Sequence, residues 1–177
     1  MDTGNPAHFT ALKLYADALK EEGFASQLLS ANDSVPYDTL LVALPMDGHP
    51  RGGLQIELSF LPGIEAELNG LSIMQCFVPV EEVKTDAAEL KAGIANINKF
   101  STLGSFGLLS KPPIVYFRHT VMLNINTQQN LQVIIQTVWL ISYLLEMFGP
   151  GLSQLANDTI KLAEAFRGHQ FEQLIIE

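Results

Sequence analysis

Apolar and polar positions alternate clearly along LQIELSFL (residues 54–61): Leu54, Ile56, Leu58 and Phe60 fall on one side, Gln55, Glu57 and Ser59 on the other. A period of two belongs to an extended strand, whose successive side chains leave opposite faces. One face then meets a core and the other a more polar medium, as is common in antiparallel sheets. IVYFRHTVML (114–123) repeats the pattern, with Val115, Phe117 and Val121 alternating with Tyr116, Arg118 and Thr120. Apolar runs at DTLLVAL (38–44), SIMQCFVPV (72–80) and SFGLL (105–109) predict further strands, and SQLLSA (26–31) a short one. Pro and Gly punctuate them: Val35-Pro36, the loop PMDGHPRGG (45–53), Pro62-Gly63 and Pro112-Pro113.

Three- and four-residue periods mark the helices. The first has Asn5 to cap it, Pro6 in its first turn and Gly23 to close it, with Phe9, Leu12, Ala16 and Leu19 as its apolar face. The second opens at Asp86, which forms a capping-box pattern with Glu89, and carries Leu90, Ile94 and Ile97 as far as Phe100. The third spans Thr127 to Phe148, and Gly149-Pro150-Gly151 is expected to break it. A last helix over 152–167, with Leu152, Leu155, Ala163 and Phe166, ends at Gly168, and the tail 169–177 is either frayed or docked. Helices at both ends and strands in blocks predict one α+β domain over 1–177, a mostly antiparallel sheet flanked by helices.

LQVIIQTVWLISYLLEMFG (131–149) approaches the length of a membrane span. On a helical wheel, however, Gln132, Gln136, Trp139, Ser142, Tyr143 and Glu146 gather within about a third of the circumference. Lys or Arg anchors are missing from its ends, the nearest being Arg118 and Lys161. The helix therefore reads as one that packs in a protein, not as a membrane span. Its apolar arc is wider than one sheet face requires. Either the final helix folds back over the surplus or a second subunit covers it. Trp139, Leu140, Tyr143, Leu144 and Phe148 are the candidate partner or dimer interface.

Charge removes one class of partner. Among 177 residues, 19 Asp and Glu outweigh 10 Lys and Arg, for a net charge of −9. The cations are scattered singly, so a phosphate backbone finds no basic patch and nucleic acid is not an expected partner. The stretch from Glu65 to Glu89 is acidic and reads as a solvated edge, or as a seat for a basic partner or cation. Cys76 is the sole cysteine, which excludes an internal disulfide, and its apolar run makes it a small buried hydrophobe. The N-terminal residues MDTGNPAHFTAL have no basic stretch followed by an apolar run, so a cytoplasmic location is expected.

Candidate chemistry is sparse. His8, His49, His119 and His169 share no helical metal-binding spacing. Gly104-Ser105-Phe106-Gly107 matches a GXXG pattern but precedes a strand, where a nucleic-acid clamp joins two helices. Phosphate-loop, dinucleotide, zinc-protease and serine-hydrolase signatures are absent. No catalytic, cofactor-binding or metal-binding residue is assigned, and no cofactor is expected.

Residues 77–148 resemble the YbjN family, whose fold is shared with class I type III secretion chaperones. FVPVEEV leads into a helix carrying Asn96-Ile97-Asn98 and Phe100. The strands GSFGLL and IVYFRHTVML follow, then NTQQNLQVIIQTVWLISYLLEMFG with Trp139 and Phe148. The family's Trp-Asn pair is replaced by Ile97-Asn98, and the extra strand and last helix lie outside the family's plan. The resemblance implies an arrangement α-β-β-β-(β)-α-β-β-α-α. It also implies regulatory or chaperone-like work without catalytic residues; type III chaperones are acidic dimers that hold partly unfolded partners.

The resulting expectation is a non-enzymatic, dimeric protein-binding module with an unidentified protein partner. The alternative is a small-molecule binder or enzyme using a pocket between sheet and helices, with Tyr116, Arg118, His119, His49 and Arg51 as its polar groups.

Overall fold

The computed structural model describes residues 5–33, 35–46, 52–61, 67–84, 88–124, 129–157, 159–168 and 170–176. The fold is α+β. Its elements in chain order are α1 (Pro6–Glu21), β1 (Ser26–Leu29), β2 (Thr39–Pro45), β3 (Gly53–Leu61), β4 (Ser72–Glu82), α2 (Ala88–Phe100), β5 (Ser105–Ser110), β6 (Pro113–Leu123), α3 (Gln129–Ala156), α4 (Leu162–Ala165) and α5 (Glu172–Ile176). The strands form one antiparallel sheet in the order β1-β2-β3-β4-β6-β5. By its internal contacts the chain divides into two compact units, residues 1–77 with 119–142 and residues 78–118 with 143–177. β4, β6 and α3 each run through both.

In the first unit, the Asn5 side chain accepts a hydrogen bond from the Ala7 N–H at 3.0 Å, and Pro6 occupies the first turn. This satisfies one of the donors that every helix leaves open at its start. Gly23, with φ of +90°, turns the chain out of α1, and the Phe24 N–H donates back to the Leu19 carbonyl. The buried stripe of α1 is His8, Ala11, Leu12, Tyr15 and Leu19. The apolar face read from sequence includes Phe9 and Ala16, yet Phe9 is exposed and Ala16 half-buried. Two rings account for the rotation. His8 stacks on Phe60 with centroids 4.4 Å apart, and Tyr15 lies against the same ring. Each has an apolar body that a scan for aliphatics overlooks.

β3 keeps the alternation read from its sequence. Leu54, Ile56, Leu58 and Phe60 are buried, while Gln55 is exposed and Glu57 and Ser59 are half-buried. Register carries the same two faces across the neighbouring strands. Leu40, Leu58 and Cys76 share the buried face; Leu41, Glu57 and Phe77 share the other. Cys76 is buried as expected, and burial pushes its thiol up to about 12.

In the second unit, α2 buries Leu90, Ile94 and Ile97. Its expected cap, Asp86, lies outside the described residues. Glu89 works elsewhere: its carboxylate accepts the Leu162 N–H at 2.7 Å and lies 3.2 Å from the Lys161 ammonium. The backbone bond, then Lys161, holds the Glu89 carboxyl below the usual range. An aromatic cluster fills the unit. Phe106 meets Phe117 and Phe148 edge-on, and Phe171 lies against Phe100 and Phe148.

Gly149-Pro150-Gly151 does not break the long helix, which continues to Ala156. Pro150 is exposed, so its ring points to the open side of the helix. The carbonyl it leaves without a partner is that of Glu146, also on an exposed residue, where water can replace the lost bond. Gly151 is buried, and a Cβ built there would stand 2.7 Å from the Phe166 ring. The expected helix over 152–167 is therefore replaced. Residues 152–156 complete α3, α4 is a single turn, and Phe166 closes over Gly151. The tail is docked through α5: Ile175 is buried, and the Asn96 side chain donates to its carbonyl at 2.6 Å.

Candidate interaction surfaces

Two surfaces emerge, one on α3 and one on the sheet. Along α3 the exposed positions are Gln132, Val133, Gln136, Trp139, Leu140, Tyr143, Glu146, Pro150 and Gln154. They recur at three- and four-residue steps and so form one face. The polar arc drawn from sequence lies on this face except for Ser142, which is buried, and the face also carries the apolar Val133 and Leu140. Buried against the interior are Ile134, Val138, Ile141, Leu145 and Phe148. The large side chains left open are Val133, Trp139, Leu140 and Tyr143, at 40%, 52%, 41% and 52% exposure. Trp139 is held in place, its ring meeting Phe24 edge-on at 4.9 Å. Gly23 and the Phe24–Leu19 hydrogen bond fix that support.

Of the five residues singled out for an interface, Trp139, Leu140 and Tyr143 lie on this open face. Leu144 is half-buried. Phe148 belongs to the core, packed against Phe106 and Phe171, and its place as a surface residue is corrected. An uncharged run of the face extends from Gln132 to Tyr143; Glu146 ends it. The helix is long and apolar enough, by length and composition, to cross a membrane. In the fold it carries one buried and one open side.

The second surface is the sheet face opposite Phe60. In the first unit it comprises Leu41, Glu57 and Phe77 in one cross-strand row, with Thr39, Ser59 and Gln75 in the next. The Leu61–Ile73 pair follows. These side chains are half-buried, apart from buried Thr39, whose hydroxyl bonds that of Ser59 at 2.8 Å. The polar half of the period in β3 was legible in sequence. Leu41 and Phe77 were not, because their strands read as mainly apolar runs without a clean period of two. Cross-strand register is what places them beside Glu57.

Among the described residues, the groups proposed for a small-molecule site do not share one face. His49 and Arg51 lie outside the described residues, as does His169. Tyr116 and Arg118 leave one face of β6 and His119 the other. Tyr116 lies over Gly107, its cross-strand partner, where any Cβ would collide with the ring. Burial lowers the His119 pKa. Among the described residues no group of three His, Cys, Asp or Glu side chains is placed to hold a metal ion. No protein-family model matches the chain, and no curated protein matches it.

Proposed function

We propose that this chain is a non-enzymatic, cytoplasmic protein-binding module, chaperone-like or regulatory, that works as a homodimer through α3. The observation that carries the reading is the open, uncharged face holding Val133, Trp139, Leu140 and Tyr143. Exposed apolar surface of this kind marks interaction sites. Trp and Tyr are enriched at such sites because a large apolar ring comes with a polar edge. The second copy is the occupant because of charge. Two chains of −9 repel, and they meet at least cost where neither presents a carboxylate. The YbjN-like and secretion-chaperone-like resemblance over 77–148 supports the same reading.

Light scattering of the purified chain tests it, with Trp139→Glu and Leu140→Glu as controls. The expected result is twice the chain mass for the parent and the single-chain mass for both variants, with unchanged circular dichroism. A parent that stays at single-chain mass as concentration rises contradicts the dimer.

A further inference from the structure

Glu57 sits in an unusual place. It lies in β3, with β2 and β4 on either side, so it is not at a sheet edge. Leu41 stands directly across from it on β2 and Phe77 on β4. Its strand neighbours on that face are Gln55 and Ser59, both uncharged. Among the described residues its carboxylate has neither a hydrogen bond nor an ion pair. A half-buried, unpaired carboxylate flanked by apolar side chains costs free energy unless something outside completes it. Burial raises its pKa accordingly.

We propose that this sheet face receives an extended partner-protein segment whose inward-facing positions, at every second residue, are apolar but for one Lys or Arg, and that Glu57 takes that cation. The choice of partner rests on charge complementarity. The recognition point is a carboxylate in apolar surroundings, and a net charge of −9 draws cationic segments toward the molecule. An incoming guanidinium or ammonium gains a charge-assisted bond with less screening than at an open surface. The aliphatic stem of that side chain lies between Leu41 and Phe77, which flank Glu57 in its row, and apolar side chains at the segment's other inward positions reach Leu61 and Ile73. A segment with period two matches the spacing of the rows, because side chains on one sheet face recur at every second residue. This deepens the protein-binding reading and rests on it, while using a surface separate from the α3 face.

The test is fluorescence anisotropy of the full chain with three labelled nine-residue peptides that carry leucine at every second position and serine between, the central leucine replaced by arginine, glutamine or glutamate. Expected is an order of magnitude or more in favour of the arginine peptide over the glutamate peptide. Glu57→Gln removes about ten-fold of the arginine affinity and leaves the glutamine peptide unchanged. Thermal melts confirm that the variant is folded. Equal binding of all three peptides overturns the cationic specificity and leaves a general protein-binding role standing. Binding of none of them overturns the sheet face as a docking site, while the α3 dimer is judged by its own measurement. A Phe77→Asp variant that converts a dimer into a monomer also overturns the proposal, since a second copy would then own this face.

Discussion

At the scale of single residues, two glutamates show how place sets chemistry. Glu57 is desolvated beside apolar neighbours and its pKa is raised; Glu89 is bonded by the Leu162 N–H and Lys161 and its pKa is lowered. The signs of their effects on stability are opposite. For Glu57 the folded state holds its proton to higher pH than the unfolded state. Stability therefore falls as pH rises from the unfolded value, about 4.3, through the folded one. For Glu89 the contribution is present above the unfolded value and lost as pH falls through the folded one. Glu57→Gln is expected to stabilise the isolated protein at neutral pH, with the gain vanishing in acid. Urea unfolding across that range measures it, and equal parent and variant stabilities at neutral pH would contradict the desolvation argument. Asn98 makes a second residue-scale case. Its amide donates to the Phe106 carbonyl and accepts the Phe106 N–H, replacing a neighbouring strand at the outer edge of β5. Asn98→Ala is expected to cost about 1–3 kcal/mol and to speed hydrogen exchange at the Phe106 amide. The Asn96-Ile97-Asn98 motif thus resolves into a tie to α5, a core side chain and a strand-edge cap.

At the scale of elements, the strands were the most legible part. β3 lies within a residue of its sequence bounds because the alternation, Gly53 and the Pro62-Gly63 punctuation of the sequence all agree. α2 was legible for the same reason: its stripe is purely aliphatic. α1 was placed well but rotated, since His8 and Tyr15 bury their rings and count as polar in a simple pattern. α3 failed at its end for a directional reason. Proline's cost in a helix is one lost hydrogen bond and a steric clash, and both shrink where the ring and the orphaned carbonyl face outward. A linear sequence gives the proline but not its direction. Two substitutions probe this. Pro150→Ala restores a donor on the open side and is expected to raise stability by on the order of 1 kcal/mol, below the roughly 3 kcal/mol separating proline from alanine in a helix interior. Gly151→Ala improves helix propensity but drives a methyl into the buried Phe166 ring, and is expected to lose about 1–3 kcal/mol net. Chemical denaturation of both variants decides it; a stabilised Gly151→Ala would mean that Phe166 yields.

At the scale of the molecule, the unread part was the route of the chain after Pro150. A final helix laid over α3 would have hidden the Trp139 face. Instead α4 is one turn and α5 ties to α2 through Asn96, and Trp139 is exposed. The site was half legible. Trp139, Leu140 and Tyr143 could be picked out because helical spacing puts them together, whereas Phe148 needed its contacts with Phe106 and Phe171 to be recognised as core. The sheet face needed strand register, which no local pattern supplies. Both surfaces follow from one imbalance: an acidic chain with apolar residues left at two places where it carries little charge. Binding at the sheet face should weaken with salt, because a single charge pair near the surface is screened over about 8–10 Å. Dimerisation through α3 should respond little.

Methyl-resolved NMR of the full chain, titrated with the leucine–arginine peptide, tests protein binding at the sheet face most directly. The account predicts shifts at the Leu41, Leu61 and Ile73 methyls, with Ile56 and Leu58 on the buried face unmoved and about ten-fold more peptide needed for the same shifts in Glu57→Gln. Shifts confined to Val133 and Leu140 on α3, or none at any methyl, would contradict it.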